Sequence, residues 1–149
     1  MPLFGELLIR NADLAKKFSA APDLTWLSLK RILYTHCCRD VVCCHKTGLP
    51  PEADVQEWLL DFVWLDRDTL AMKLGVECEW SKIEPQIKDD FEKLMSVKAP
   101  LKLFIYATDK VANERVHEWL REWMGKFSQH IEGEEYLLME VKGKQANFY

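Results

Sequence analysis

The chain has 149 residues, of which 48% are hydrophobic and 30% are charged, a size and balance typical of one globular domain. Its formal net charge of -4 provides no overall positive field, so a nucleic-acid partner would need a local basic patch. No segment approaches the roughly 20 apolar residues of a membrane-spanning helix, and no secretory leader is recognisable. We therefore expect a single domain over residues 1–149, cytoplasmic and without a membrane partner.

Four of the five cysteines form two adjacent pairs, at residues 37 and 38 and at residues 43 and 44. Adjacent cysteines cannot easily bridge each other, which favours reduced thiols inside the cell. With His36 and His45 they offer six potential zinc ligands, but structural zinc sites place two to four residues between paired ligands. The spacing therefore favours cysteines packed as small hydrophobic side chains over a zinc site.

The first half of the chain predicts two helices, a short strand and a hairpin. Apolar residues recur at helical spacing over residues 3–19 and 23–39, and residues 41–44 predict a short buried strand. Residues 57–80 contain two apolar segments on either side of a polar turn at residues 66–69. That pattern predicts a β-hairpin.

The second half predicts a crossover unit with two further elements. Ser81 and Glu84 have capping-box spacing, and the apolar stripe after them predicts a helix over residues 84–96. The apolar segment 101–107 predicts a strand covered on both faces and parallel to the second hairpin strand. A long helix over residues 112–127 and a strand at 136–141 follow. The predicted fold is α/β (α+β), with the element order α, α, β, β, β, α, β, α, β and a mixed sheet flanked by helices.

Three carboxylates stand in the otherwise apolar strands of the predicted hairpin. Glu77 and Glu79 point to the same side, because side chains alternate along a strand. The simplest register leaves Asp61 of the partner strand a residue or two short of Glu77, and a bulge at Gly75 would close that offset. Like charges crowded in this way should raise the proton affinity of at least one carboxylate, unless a divalent cation neutralises them.

These residues resemble the core of the PD-(D/E)XK nuclease superfamily, the restriction-endonuclease-like fold. The resemblance consists of a strand bearing Asp61, 15 intervening residues, Glu-x-Glu on the next strand, and then a helix and a strand. It covers residues 24–107, a core of order αβββαβ to which the last helix and strand are added. By position, Asp61 and Glu77 match the family's metal-binding acids, and Glu79 occupies the place of its lysine. Leu60 stands where the family has Pro.

The resemblance implies hydrolysis of phosphodiester bonds in DNA or RNA, dependent on Mg²⁺ or Mn²⁺, with Asp61, Glu77 and Glu79 as the metal-binding and catalytic residues. A carboxylate at residue 79 cannot supply the family lysine's positive charge. Lys73 is an even number of residues from Glu77 and Glu79, so its side chain should point to the same side of the strand, and it is the better replacement by position. Lys82 is the second candidate. Many nucleases of this fold are dimers or carry a DNA-binding domain, so a homodimer or a partner protein is expected beside nucleic acid.

Two other interpretations remain open. The chain could be a non-catalytic intracellular interaction module that keeps the nuclease-like fold, because a fold persists when its site loses activity. The three carboxylates could also form the solvated face of an ordinary antiparallel hairpin. Nucleotide hydrolases, α/β-hydrolases, zincins and Rossmann dehydrogenases have no supporting motif in the sequence.

Overall fold

The protein is described from a computed structural model, which covers residues 11–21, 23–35, 41–45, 60–80, 84–107, 116–130 and 132–149, with only the backbone at 11–13, 35, 41–45 and 117. The helices are α1 (Asn11–Ser19), α2 (Trp26–Thr35), α3 (Glu84–Ser96) and α4 (Val116–Lys126). The strands are β1 (Val41–His45), β2 (Phe62–Asp66), β3 (Met72–Glu79), β4 (Leu101–Ala107), β5 (Glu135–Lys142) and β6 (Gln145–Phe148).

Within the described residues, six strands form one mixed sheet in the order β1-β2-β3-β4-β5-β6. β1, β2 and β3 are antiparallel neighbours, whereas β3, β4 and β5 are parallel. The predicted hairpin, its crossover helix and the parallel strand at residues 101–107 are therefore confirmed. β6 was not predicted; it pairs antiparallel with β5 after a turn in which Gly143 has a φ of 62°. Its four residues are too few to show clearly the alternation of apolar and polar residues that predicts a strand.

The β2–β3 register contradicts one detail of the sequence prediction. The pairing shifts between Trp64 and Leu65, so Lys73 is the extra residue of the bulge and the predicted bulge at Gly75 is wrong. Gly75 is closely packed instead. A Cβ atom at this position would lie 2.7 Å from Cδ1 of Leu60, which is buried.

Helices cover both faces of the sheet. Side chains of α1 and α2 pack on the face that carries Phe62, Trp64 and Val76, and we call this layer the first core. Side chains of α3 and α4 pack on the opposite face with Val63 and Phe104, forming the second core. Trp119, Trp123 and Phe127 of the α4 region are partly buried against the second core, as a core-facing stripe requires. No helix among the described residues is long and apolar enough to cross a membrane.

Candidate functional site

Asp61 and Glu77 lie side by side at the edge of the sheet where β2 begins and β3 approaches its end. Phe62 pairs with Val76, so one further step of the antiparallel register places Asp61 opposite Glu77. Asp61 Oδ2 accepts a hydrogen bond of 2.9 Å from the backbone N–H of Cys78, which holds this carboxylate against β3. The structure thus brings together two of the three carboxylates predicted to form the site.

Glu77 is almost fully buried, with 1% of its surface exposed. Burial, and after it the neighbouring Asp61 carboxylate, raises the pKa of Glu77 to about 9, even though Lys93 acts in the opposite direction. Burial and like-charge repulsion both disfavour the second negative charge. The raised pKa agrees with the effect expected from crowding two carboxylates, and it shows that this position favours a proton or a cation.

Lys93 of α3 is the cation that the structure brings to the two carboxylates. Its Nζ atom lies 2.9 Å from Glu77 Oε1 and 3.4 Å from Asp90 Oδ1. Although partial burial acts to lower it, the ion pairs with Glu77 and Asp90 raise the pKa of Lys93. The sequence analysis missed this lysine. The sequence feature that could have identified Lys93 is the helical period of α3. This period places Lys93 beside the buried Leu94 and on the side of the helix that carries Asp90.

Glu79 is on the same face of β3 as Glu77, but its partner is Asp90 of α3. Burial, followed by a hydrogen bond with Glu79, raises the pKa of Asp90 to about 6. Among the residues that the structure describes, no three His, Cys, Asp or Glu side chains are arranged as a set that could hold a metal ion. Asp61 and Glu77 lie together, and Glu79 forms a neighbouring pair of carboxyl groups with Asp90.

Lys73, the first lysine considered as a replacement for the family's lysine, lies away from this group. Lys73 lies at the turn end of β3, where backbone hydrogen bonding from Thr69 and, to a smaller extent, the charge of Lys73 lower the pKa of Asp66. Four residues of strand separate Lys73 from Glu77, a span of about 13 Å. Lys82 lies outside the described residues.

A second lysine approaches from the other face of the sheet. Lys30 of α2 is buried, with 6% of its surface exposed, and its Nζ atom lies 5.5 Å from the ring centroid of Trp26. Burial lowers the pKa of Lys30, while attraction to Asp61 and Cys78 opposes the change. Lys30 therefore adds positive potential on the Asp61 side of the carboxylate pair, in addition to the direct contact made by Lys93.

The oxygen donors at this edge fit Mg²⁺ or Mn²⁺. Mg²⁺ prefers hard oxygen ligands, and in phosphoryl-transfer sites it is commonly bound by one or two carboxylates, several waters and the substrate phosphate. Asp61 and Glu77 provide the two carboxylates, and burial followed by the Asp61 charge raises the pKa of Glu77 despite its contact with Lys93. In the potential zinc cluster, residues 36–38 lie outside the described residues, and residues 43 and 44 belong to β1.

Comparison with known proteins identified no relative: no protein-family model matches the chain, and neither does any curated protein or solved structure. Function is therefore inferred from the fold and from the side chains at the carboxyl edge of the sheet.

Proposed function

We propose that the chain is a metal-dependent nuclease of the PD-(D/E)XK type, or a protein derived from one, and that it binds Mg²⁺ or Mn²⁺ through Asp61 and Glu77. The main support is the buried Glu77 carboxyl group, which lies between Asp61 and Lys93. The element order also supports the proposal, because an antiparallel β2–β3 hairpin followed by α3 and a parallel β4 is the arrangement expected of a restriction-endonuclease-like core.

In this proposal Lys93 takes the part that the family assigns to the lysine of its motif, whose place is held here by Glu79. A bound Mg²⁺ would polarise a phosphoryl oxygen and lower the pKa of a bound water. Lys93, with 37% of its side chain exposed, can reach both Glu77 and a phosphate approaching from solvent. Its ammonium group would stabilise the negative charge that develops on phosphorus as water adds and the bond to the leaving oxygen breaks.

The decisive experiment is titration calorimetry with Mn²⁺ on the wild type and on the Asp61→Asn, Glu77→Gln double variant. We expect the wild type to bind Mn²⁺ and to cleave labelled DNA or RNA only when Mn²⁺ or Mg²⁺ is present. The double variant should stay folded, bind no Mn²⁺ and cleave neither substrate. Asp89→Asn combined with Glu92→Gln is the matched control, because it removes two exposed acids from α3 and should behave as the wild type does.

Equal Mn²⁺ binding by the wild type and the Asp61, Glu77 double variant would remove the chemical basis of the nuclease proposal. A wild type that binds no Mn²⁺ and cleaves neither nucleic acid would leave the alternative, an interaction module that acts through a protein partner or a second copy of itself. Mn²⁺ binding that depends on both residues, without cleavage, would identify a nuclease-derived protein that has lost catalysis.

A further inference from the structure

A second concave feature lies at the carboxyl edge of the sheet, on the face opposite to Glu77. It is a cleft of about 690 Å³ between the α1–α2 connection, the ends of the parallel strands and the β5–β6 turn. We call it the Trp80 cleft. Its apolar walls include Phe18, Leu24, Trp80 and Ala146, and its polar lining includes Asp23 and Lys144.

The lining of the Trp80 cleft suits a flat ligand with apolar faces and a polar edge. Trp80 is partly buried against the first core, and it also lines the cleft. Asp23 is held in place because its Oδ1 atom accepts hydrogen bonds from the backbone N–H of Thr25 at 3.1 Å and from its hydroxyl at 2.7 Å. Lys144 is exposed on the β5–β6 turn. A nucleobase has this combination of stacking faces and a hydrogen-bonding edge.

The cleft and the carboxylate pair both include residues from the carboxyl end of β3, on opposite faces of the sheet: Trp80 lines the cleft, and Glu77 lies three residues before it. Trp80 directly follows Glu79, and consecutive Cα atoms are about 3.8 Å apart. Because successive side chains along a strand point to opposite faces, Glu79 faces α3 while Trp80 faces the first core. Crevices beyond the carboxyl ends of parallel strands are the usual place for ligands in such sheets.

We propose that the Trp80 cleft holds one unpaired nucleobase of a strand whose phosphate lies at Asp61 and Glu77. The substrate is then single-stranded nucleic acid, or a duplex with an unpaired nucleotide, because a base stacked within a duplex must leave the stack before it can enter a pocket. The location of the phosphate rests on the proposed nuclease function. Base binding in the cleft itself requires no metal.

The test measures binding in EDTA, with fluorescence anisotropy of a fluorescein-labelled ten-nucleotide single strand and of the same sequence as a duplex. We expect the wild type to bind the single strand at least tenfold more tightly, and adenosine monophosphate to compete. Trp80→Ala should weaken single-strand binding by about tenfold, a typical effect for the loss of one base–aromatic stack. Lys144→Gln should weaken it by a smaller factor, because Lys144 is exposed.

Two controls match these variants. Trp123→Ala removes a partly buried tryptophan on the α4 side, and Lys142→Gln removes an exposed lysine at the end of β5. Neither residue lines the cleft, so both variants should bind the single strand within about twofold of the wild type. If Trp80→Ala loses its circular dichroism, Ala146→Trp, which fills the cleft from the β6 side, replaces it and should weaken binding similarly.

Equal binding of the single strand and the duplex would overturn the base-binding proposal, and so would cleft variants that bind like their controls. These results are independent of the nuclease test, which depends on Mn²⁺. If only the nuclease proposal is wrong, the single strand should bind through the cleft without metal, and no Mn²⁺ should bind at Asp61 and Glu77. Loss of the base-binding proposal alone would appear as Mn²⁺-dependent cleavage that is insensitive to Trp80→Ala.

Discussion

Two groups of buried charge lie on the α3–α4 side of the sheet, and they differ in how completely their charges are paired. At the amino end of β4, Lys102 has 1% of its surface exposed. Its Nζ atom donates hydrogen bonds to the Met95 carbonyl at 2.9 Å and the Tyr136 hydroxyl at 3.2 Å, and it lies 3.1 Å from Glu134 Oε2. His130 also contacts Glu134. One lysine thus meets one buried carboxylate and two neutral oxygens.

At the carboxyl edge, by contrast, Lys93 contacts Glu77 and Asp90, and the Asp61 carboxylate lies beside Glu77 as a further negative charge. A buried ion pair that is satisfied by hydrogen bonds specifies a structure, whereas clustered carboxyl groups with raised pKa values are typical of functional sites. The Lys102 group holds α3 and the residues Glu134 and Tyr136 on β4. Under the proposed function, the Glu77 group binds a cation.

The largest expected effect is on stability at the amino end. Lys102→Met should lower the free energy of unfolding by about 3–5 kcal/mol, because it leaves the Glu134 carboxylate buried without its ammonium partner. Denaturation by urea measures the loss. Adding Glu134→Gln should recover part of it, and Lys98→Met, at an exposed position, should change stability by less than about 0.5 kcal/mol. A Lys102 variant as stable as the Lys98 variant would show that the paired group is not structural.

The second expected effect separates activity from stability at the carboxyl edge. If the nuclease proposal holds, Lys93→Met should reduce the rate of Mn²⁺-dependent cleavage by about 10²–10³-fold, the usual result of removing a group that stabilises charge in the transition state. Its melting temperature at neutral pH should change little, because Glu77, whose pKa is raised to about 9, can hold a proton when the lysine is removed. Lys98→Met again serves as the control, and Lys93→Arg should retain part of the rate. Full activity in Lys93→Met would exclude Lys93 from catalysis.

The third expected effect is a gradual dependence of stability on pH in metal-free buffer. Because the folded pKa of Glu77 is raised from 4.5 to about 9, the folded state retains a proton that the unfolded state releases. This group therefore makes no difference to stability below pH 4.5 and destabilises the wild type increasingly up to about pH 9. Glu77→Gln should remove the penalty, so its stability relative to the wild type should rise with pH by at most about 1.4 kcal/mol per unit. A pH-independent difference between the two proteins, measured by urea denaturation, would contradict the raised pKa.

The hairpin, α3 and β4 could be predicted because their apolar residues repeat at the spacing of the element that they form. Alternation along β3 was sufficient to place Glu77 and Glu79 on the same face. The three carboxylates stand out in the sequence because acids within apolar strands require compensation wherever those strands are buried. These inferences use neighbours in sequence, whose geometry is set locally by the helical and strand repeats.

The tertiary structure alone decided which charges meet. The register shift at Lys73 pairs Asp61 with Glu77, and the packing of α3 on β3 brings Lys93 to that pair and Asp90 to Glu79. The same packing buries Lys102, which stands in a strand that is apolar almost throughout and that the sequence predicts to be covered on both faces. Each of these contacts depends on how elements distant in sequence pack together, and the local hydrophobic period contains no information about that distance or angle. The sequence by itself therefore determined the elements and the candidate carboxylates, and the packing of α3 against the sheet determined their partners.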